Sequence, residues 1–380
     1  MLSHRSLRGY DRYILLTTAS LMLAGLLMVA SASMDLSEKQ FGQCFHYVIR
    51  HSIYLGISIS IALLVFQMPT ELWRKIALNL LMLTILLLIV VLIPGIGKAV
   101  NGSRRWLLLG FVRFQVSELA KLTIIIYLAR YLDRYSEEIT HQWQTFLKPM
   151  VLIGINIVLL LKEPDLGAAV VILITSISLL FLAGVPIVTF FSFLMSAAGI
   201  IVALIMSSTY RMSRMISFFN PWDYPFSHGY QLTQALIACG RGELWGKGLG
   251  ESIQKLFYLP EAHTDFIFAV LIEELGLIGG IILIALFLVL VGYAFLLGWE
   301  CMLSYQKFNA YLAYGIGIYL AVSVMINIGV NIGLLPTKGL TLPLISYGGN
   351  SLMITTVMIA ILIRINYELQ QNIFFKRYAR

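Results

Sequence analysis

Apolar residues run along this chain in blocks longer than an amphipathic surface helix or a buried strand requires. A helix that crosses a bilayer needs about 20 mostly apolar residues. Ten stretches approach that length: 13–31, 47–67, 74–94, 115–132, 147–162, 166–184, 187–207, 266–297, 308–333 and 347–369. The fourth and fifth are short and carry charge. Lipid offers no hydrogen-bond partner to open backbone groups, so helices are the expected form of each span. The pattern predicts an all-α polytopic membrane protein: a bundle of ten transmembrane helices forming a single domain over 1–380. A large loop, 208–265, joins the seventh and eighth spans. No soluble domain, linker or fixed-period repeat interrupts the series.

Composition agrees. Hydrophobic residues make up 59% of the chain and charged residues 12%, against roughly a quarter charged in ordinary globular domains. Residues 1–33 superficially resemble a secretory signal, with Arg5, Arg8 and Arg12 before an apolar run and Ala30-Ser31-Ala32 after it. The run is too long for a signal core and many spans follow, so it is read as an uncleaved first helix. The N-terminal arginines favour the cytoplasm, and ten crossings return the basic tail Lys376-Arg377-Tyr378-Ala379-Arg380 to the same side. The loops at 95–114, 163–165, 208–265 and 334–346 then lie outside.

Charge complicates this topology. The outer loops are basic too, through Lys98, Arg104, Arg105 and Arg113 in one and Arg211, Arg214, Arg241, Lys247 and Lys255 in another. Attraction to anionic headgroups is one explanation. A cationic face gathered to meet an anionic substrate is the other, and as a group they favour it. No nucleic-acid partner is expected. Cys44, Cys239 and Cys301 are read as packed thiols rather than as a disulfide framework.

Five stretches hold residues able to do chemistry. In "FQVSELAKL", Glu118 and Lys121 are three apart and share a helical face. They either dock the fourth helix as a neutralising pair or line a substrate cavity. In "KEPDLGAAV", Glu163 and Asp165 suit the N-terminal dipole of the sixth helix, and capping alone accounts for them. "GRGELWGKGLG" hints at a phosphate loop but fails the required spacing, lacks the preceding strand and lies outside; nucleotide binding is rejected. "NIGLLPTKGLTLPLISYGGNS" holds Pro336, Gly339, Pro343, Gly348 and Gly349, which forbid a continuous helix. A broken stretch at membrane depth must pack in protein or line a cavity. Lys338 adds a cation there.

"LPEAHTDFIFAVLIEELG" carries four acids and a histidine at the entry of the eighth span. Asp265 either caps that helix or serves as a carboxylate base at an outer cavity. Glu273 falls about 80° around from Asp265 and roughly 12 Å deeper, and Glu274 points elsewhere. No metal-ligand spacing appears. His263 is read mainly as a polar interface residue, with at most a weak cation site beside Asp265.

These stretches, with "NGSRRWLLLG", "FFNPW" and "GYQLTQALIACGRGELWGKGLG", resemble the SEDS family, the ten-helix membrane proteins of shape, elongation, division and sporulation. The likeness spans nearly the whole chain, and "YLPEAHTDF" and "PTKGLTLPLISYGG" resemble its division branch more than its elongation branch. Two positions depart: Val116 stands where proline is usual and Asn350 where serine is usual. The resemblance implies a peptidoglycan glycosyltransferase that polymerises lipid II at the outer face of the cytoplasmic membrane, in septal wall synthesis. It implies Asp265 as the catalytic group, and the reading of the residues themselves adds Arg105, Glu118, Lys121, Lys338 and His263 as substrate contacts. A divalent cation, Mg or Mn, is implied as a helper, with no organic cofactor. Implied partners are lipid II, the class B penicillin-binding protein FtsI, other membrane proteins of the divisome, and membrane lipids. Two other readings stand beside it: a lipid II flippase, and a non-catalytic division scaffold.

Overall fold

The computed structural model describes residues 7–378 apart from 101–102, 110–111, 141–142, 207–208, 228 and 338. Each of the ten expected spans falls on a helix: α1 (Leu7–Phe41), α2 (His46–Gln67), α3 (Thr70–Leu92), α4 (Val116–Tyr135), α5 (Trp143–Lys162), α6 (Leu166–Leu182), α7 (Ile187–Met206), α10 (Ile267–Leu303), α11 (Lys307–Asn331) and α12 (Gly349–Tyr378). The 208–265 segment contributes two more, α8 (Thr209–Phe219) and α9 (Tyr230–Gly242). Among the described residues, seven helices are both long and apolar enough to cross a membrane; α6 and part of α7 form shorter apolar helices.

Where a helix sits decides how apolar it must be. α2 and α3 turn Ile53, Leu63, Leu64, Leu83 and Leu86 outward, as lipid-facing helices do. α4 lies inside, against α3, α6 and α11, and is buried almost along its length. Its surroundings are protein, so it accommodates Glu118, Lys121 and Thr123 where a lipid-facing helix would not. Val116 is its first helical residue, the position at which proline costs nothing.

Two local departures from the helical expectation matter. The 95–114 connection forms a three-stranded antiparallel sheet, β1 (Gly97–Val100), β2 (Ser103–Leu109) and β3 (Val112–Gln115), in the order β1-β2-β3. Asn101-Gly102, between the first two strands, is the hairpin signal in the sequence. The strand pleat sends alternate side chains to opposite faces, so Arg104 is exposed while Leu107 is buried and Arg105 turns inward. Asn350 Nδ2 donates to Arg113 O at 2.9 Å, tying the start of α12 to β3. This is one of the two positions that depart from the family pattern.

The second departure corrects the expected 266–297 span. α10 breaks at Gly276, whose φ of 71° and ψ of −176° are not helical. Residues 267–274, ahead of the break, are buried, and the long apolar run continues after it. The glycine-rich stretch "GRGELWGKGLG", which fails the spacing of a phosphate loop, packs its backbone into this break. Lys247 N–H and Gly248 N–H donate to Glu273 O and Glu274 O, and Leu277 N–H donates to Glu243 O. A Cβ on Gly276 would lie 2.3 Å from Leu244 O, and one on Gly246 would lie 2.1 Å from Glu274 O. Those glycines are there because two backbones touch. All three cysteines are free.

Candidate active site

The loop 334–348, the turn 163–165 and the segment ending at Asp265 meet at one end of the bundle. Arg105 reaches inward from β2 and donates through Nε to Glu163 O (3.2 Å) and through Nη2 to Pro164 O (2.6 Å). Asp165 then caps α6, its Oδ1 accepting from Ala168 N–H at 3.2 Å, as the dipole argument expects. One turn on, Gly167 packs against Leu340, whose side chain would lie 3.0 Å from an added Cβ. Next to Leu340, Gly339 lies under Asp265: a Cβ there would sit 2.8 Å from Asp265 Oδ2. Arg105 and Asp265, from opposite halves of the sequence, are thus linked through the α6 N-terminus and a glycine.

Asp265 is part-exposed and lies two residues before α10 begins. Phe266, not Asp265, is the N-cap. The cap comes from another helix, because Ala269 N–H donates to Asn331 Oδ1 of α11 at 3.0 Å. Thr264 turns back on Glu261, its hydroxyl donating to Glu261 Oε2 at 2.7 Å.

His263 is buried. Its carbonyl accepts from Tyr347 N–H at 3.0 Å, and its ring lies 4.8 Å from Tyr47 and 5.6 Å from Tyr347. Burial lowers its pKa, which Glu261 partly opposes, so it favours the neutral imidazole. This is the polar interface residue the sequence suggests, seated beside Asp265.

Glu118 and Lys121 form a buried pair, with Lys121 Nζ 2.7 Å from Glu118 Oε1. Lys121 also lies 5.8 Å from the Tyr319 ring centre. It lines a small cavity with Thr175 and Tyr319. Lys338 falls outside the described residues. Glu163 is fully buried and both its carboxylate oxygens lack a hydrogen-bond partner. Burial first, and Asp165 second, push its pKa up to about 8 against the pull of Arg105.

The side chains of Arg211 and Arg214 lie outside the described residues, and the other outer cations beyond Arg105 and Lys338 separate into two groups. Lys98, Arg104 and Arg113 are exposed on the sheet. Three others serve the fold instead. Lys255 Nζ bonds Glu274 Oε1 (3.0 Å), Ser31 Oγ (3.0 Å) and Gly250 O (2.6 Å). Arg241 pairs with Glu273 at 3.2 Å, and Lys247 with Glu243 at 2.9 Å. Glu273 also accepts from Ser252 Oγ and from Ile253 and Gln254 N–H. The two acids inside α10 therefore brace the loop that enters its break. Among the described residues no three His, Cys, Asp or Glu side chains gather to hold a metal ion.

Sequence reasoning missed Asn327 and Asn331. Their Nδ2 groups both donate to Asp265 O, at 3.0 and 3.1 Å. Their signal was two amides, four apart on an otherwise apolar helix, where polar groups require partners.

The model of the FtsW, RodA and SpoVE cell cycle proteins matches residues 11–371. The chain belongs to this family. A Coxiella burnetii relative, named as a probable peptidoglycan glycosyltransferase FtsW, is 55% identical over 360 residues, covering 95% of this chain and 97% of its own. One from Legionella pneumophila with the same name is 48% identical, covering 96% and 92%. Among solved structures, a chain described under "Structural coordination of polymerization and crosslinking by a peptidoglycan synthase complex" superposes with a TM-score of 0.76. It is 27% identical, with 94% of this chain and 98% of that one covered. Thermus thermophilus RodA, a rod shape determining protein, gives 0.69 at 27% identity, covering 93% and 96%. With its apolar helices, membership of the FtsW/RodA/SpoVE family makes this a multi-pass membrane protein.

Proposed function

We propose that this chain is a peptidoglycan glycosyltransferase that polymerises lipid II during septal wall synthesis, with Asp265 as its catalytic base. The observation that carries the reading is the placement of Asp265: a part-exposed carboxylate two residues before α10, facing the loop at Gly339 and linked to the inward-turned Arg105. The names of relatives 48–55% identical over nearly the whole chain point the same way.

The chemistry requires little else. A lipid-linked pyrophosphate is already a good leaving group, so no general acid need protonate it. One carboxylate suffices, unlike the paired carboxylates of glycoside hydrolysis. Asp265 takes the proton from the acceptor hydroxyl as that oxygen attacks the anomeric carbon; the bond to pyrophosphate breaks and carries its electrons away. Arg105 holds positive charge beside the Asp165-capped start of α6 and favours the departing anion. Lys338, next to Gly339 in sequence, and Lys121 are assigned to the same anion. Glu118 orients Lys121, and His263 borders the acceptor side. Among the described residues no three His, Cys, Asp or Glu side chains gather around the divalent cation implied by the resemblance, and the proton transfer described does not depend on it.

The protein crosses the cytoplasmic membrane ten times with both termini in the cytoplasm and works at the septum beside a class B penicillin-binding protein, FtsI, and other divisome proteins. The test is the purified chain, with and without that partner, given lipid II, with products separated by length. Glycan strands support the reading. Lipid II that crosses vesicle membranes without polymerising would replace it with the flippase, and neither outcome would leave the scaffold.

A further inference from the structure

Asp265 O would be the natural acceptor for Ala269 N–H if α10 continued upstream, four residues being one helical bond. Ala269 N–H instead donates to Phe266 O (3.1 Å) and to Asn331 Oδ1 (3.0 Å). Asp265 O is taken over by two side-chain amides from α11, Asn327 Nδ2 at 3.0 Å and Asn331 Nδ2 at 3.1 Å. Asn327 Nδ2 donates its second hydrogen to Leu340 O at 2.6 Å. Asn331 Nδ2 donates its own to Asn327 O at 2.8 Å. The partners fix the amide orientations: the carbonyls of Asp265 and Leu340 only accept, and Ala269 N–H only donates. Both asparagines are buried, Asn327 at 1% and Asn331 at 0% exposure.

One side chain therefore holds both the backbone that carries Asp265 and the loop that faces its carboxylate. Asn327 bonds the backbone that carries Asp265 and also the residue after Gly339, the glycine lying against Asp265 Oδ2. Asn331 sets where the helix starts and where the turn before it leaves the axis. Simple satisfaction of buried amides would need only the nearest helical carbonyls. Here both amides also reach beyond their own helix to the backbone carbonyl of the proposed base.

We infer that Asn327 and Asn331 are positioning residues, a clamp that fixes the main chain of Asp265 against the Gly339–Leu340 loop and so aims its carboxylate. The proposal rests on the polymerase reading for its catalytic consequence and on geometry alone for its structural one, and two measurements separate them. Reactive geometry is steep, a shift of ~1 Å costing on the order of 10²-fold in rate. In the full chain with its partner, Asn327→Ala lowers kcat by about that factor and leaves KM for lipid II unchanged, because no substrate contact is lost. A wild-type kcat, or a loss confined to KM, would overturn the clamp. Where Asn327→Ala fails to accumulate, Asn327→Ser, which retains one short donor, takes its place with a smaller fall in kcat.

The second measurement needs no activity. With the native cysteines replaced, the pair Asp265→Cys and Gly339→Cys crosslinks readily in membranes under mild oxidant. Adding Asn327→Ala removes two hydrogen bonds and slows that crosslink roughly tenfold. An unchanged crosslinking rate would overturn the proposal, whether or not the protein makes glycan. Wild type that makes no glycan while the crosslink still depends on Asn327 would sink the polymerase reading and leave the clamp standing.

Discussion

Two helix entries carry ionisable residues of the candidate site, and they are built in opposite ways. At the start of α4, Glu118 and Lys121 satisfy each other within a single helix, both buried. At the start of α10, Asp265 is part-exposed, and its backbone is held by asparagines of α11. In sequence the two look alike, each an acid at the mouth of an apolar run. The difference is where the partners come from. A charge paired along its own helix neutralises locally and lets the helix sit in the protein interior. A charge whose main chain is fixed by a neighbouring element is placed by the tertiary fold rather than by its own helix. Glu273 and Glu274 form a third case, spent on bracing the loop at the break in α10.

That comparison can be broken. The largest effect is expected at the break. Gly276→Ala places a Cβ 2.3 Å from Leu244 O on a left-handed backbone. Strain and lost loop packing should cost about 3 kcal/mol or more, and the protein should fail to accumulate in membranes. Normal accumulation with wild-type melting in detergent would show that the α9–α10 junction is not held by backbone contact.

The α4 pair follows. Lys121→Ala leaves Glu118 buried without its cation, at about 3–5 kcal/mol, while replacing both by apolar residues of similar size is roughly neutral. Thermal melting of Lys121→Ala beside the double variant Glu118→Leu/Lys121→Met separates the roles. A stable single variant that no longer polymerises would support the assignment of Lys121 to the departing anion, and loss of folding together with activity would confine the pair to the fold.

The most gradual effect, spread along a pH axis, belongs to Glu163. Its carboxyl is raised from 4.5 to about 8 in the fold, so the folded chain binds more protons than the unfolded one between those values. Stability contributed by this group is therefore present below about pH 4.5 and lost as pH rises towards about 8. Melting curves across that range should show the decline in wild type and a flatter profile in Glu163→Gln. Identical profiles would mean that the buried carboxyl does not titrate there.

Much of the fold was legible because lipid imposes one rule: apolar runs of span length become helices. The places where reading failed share a cause. The sheet at 97–115 hid because "SRRWLLL" does not alternate in polarity, and Asn101-Gly102 was its single strong sign. The break at Gly276 hid because a helix buried in protein stays apolar through a kink. The glycines of 240–250 proclaimed close backbone approach, but the sequence does not say to what. Of the candidate site, Asp265, Arg105 and Asp165 were visible as charges near span ends. Asn327 and Asn331 were not, since an uncharged amide in an apolar helix shows its purpose only through its partners. The cationic face was half misread, because Arg241, Lys247 and Lys255 carry the same charge in sequence whether they meet a substrate or a glutamate.

The measurement that decides most is lipid II polymerisation by wild type, Asp265→Asn and Asp265→Ala, each with the class B partner and with products separated by length. Asparagine keeps the shape of the side chain and loses the ability to accept a proton. General-base catalysis is typically worth 10²–10⁴-fold, so both variants should lose activity on that scale while remaining folded and bound to the partner. Long glycan from Asp265→Asn at the wild-type rate would contradict the account.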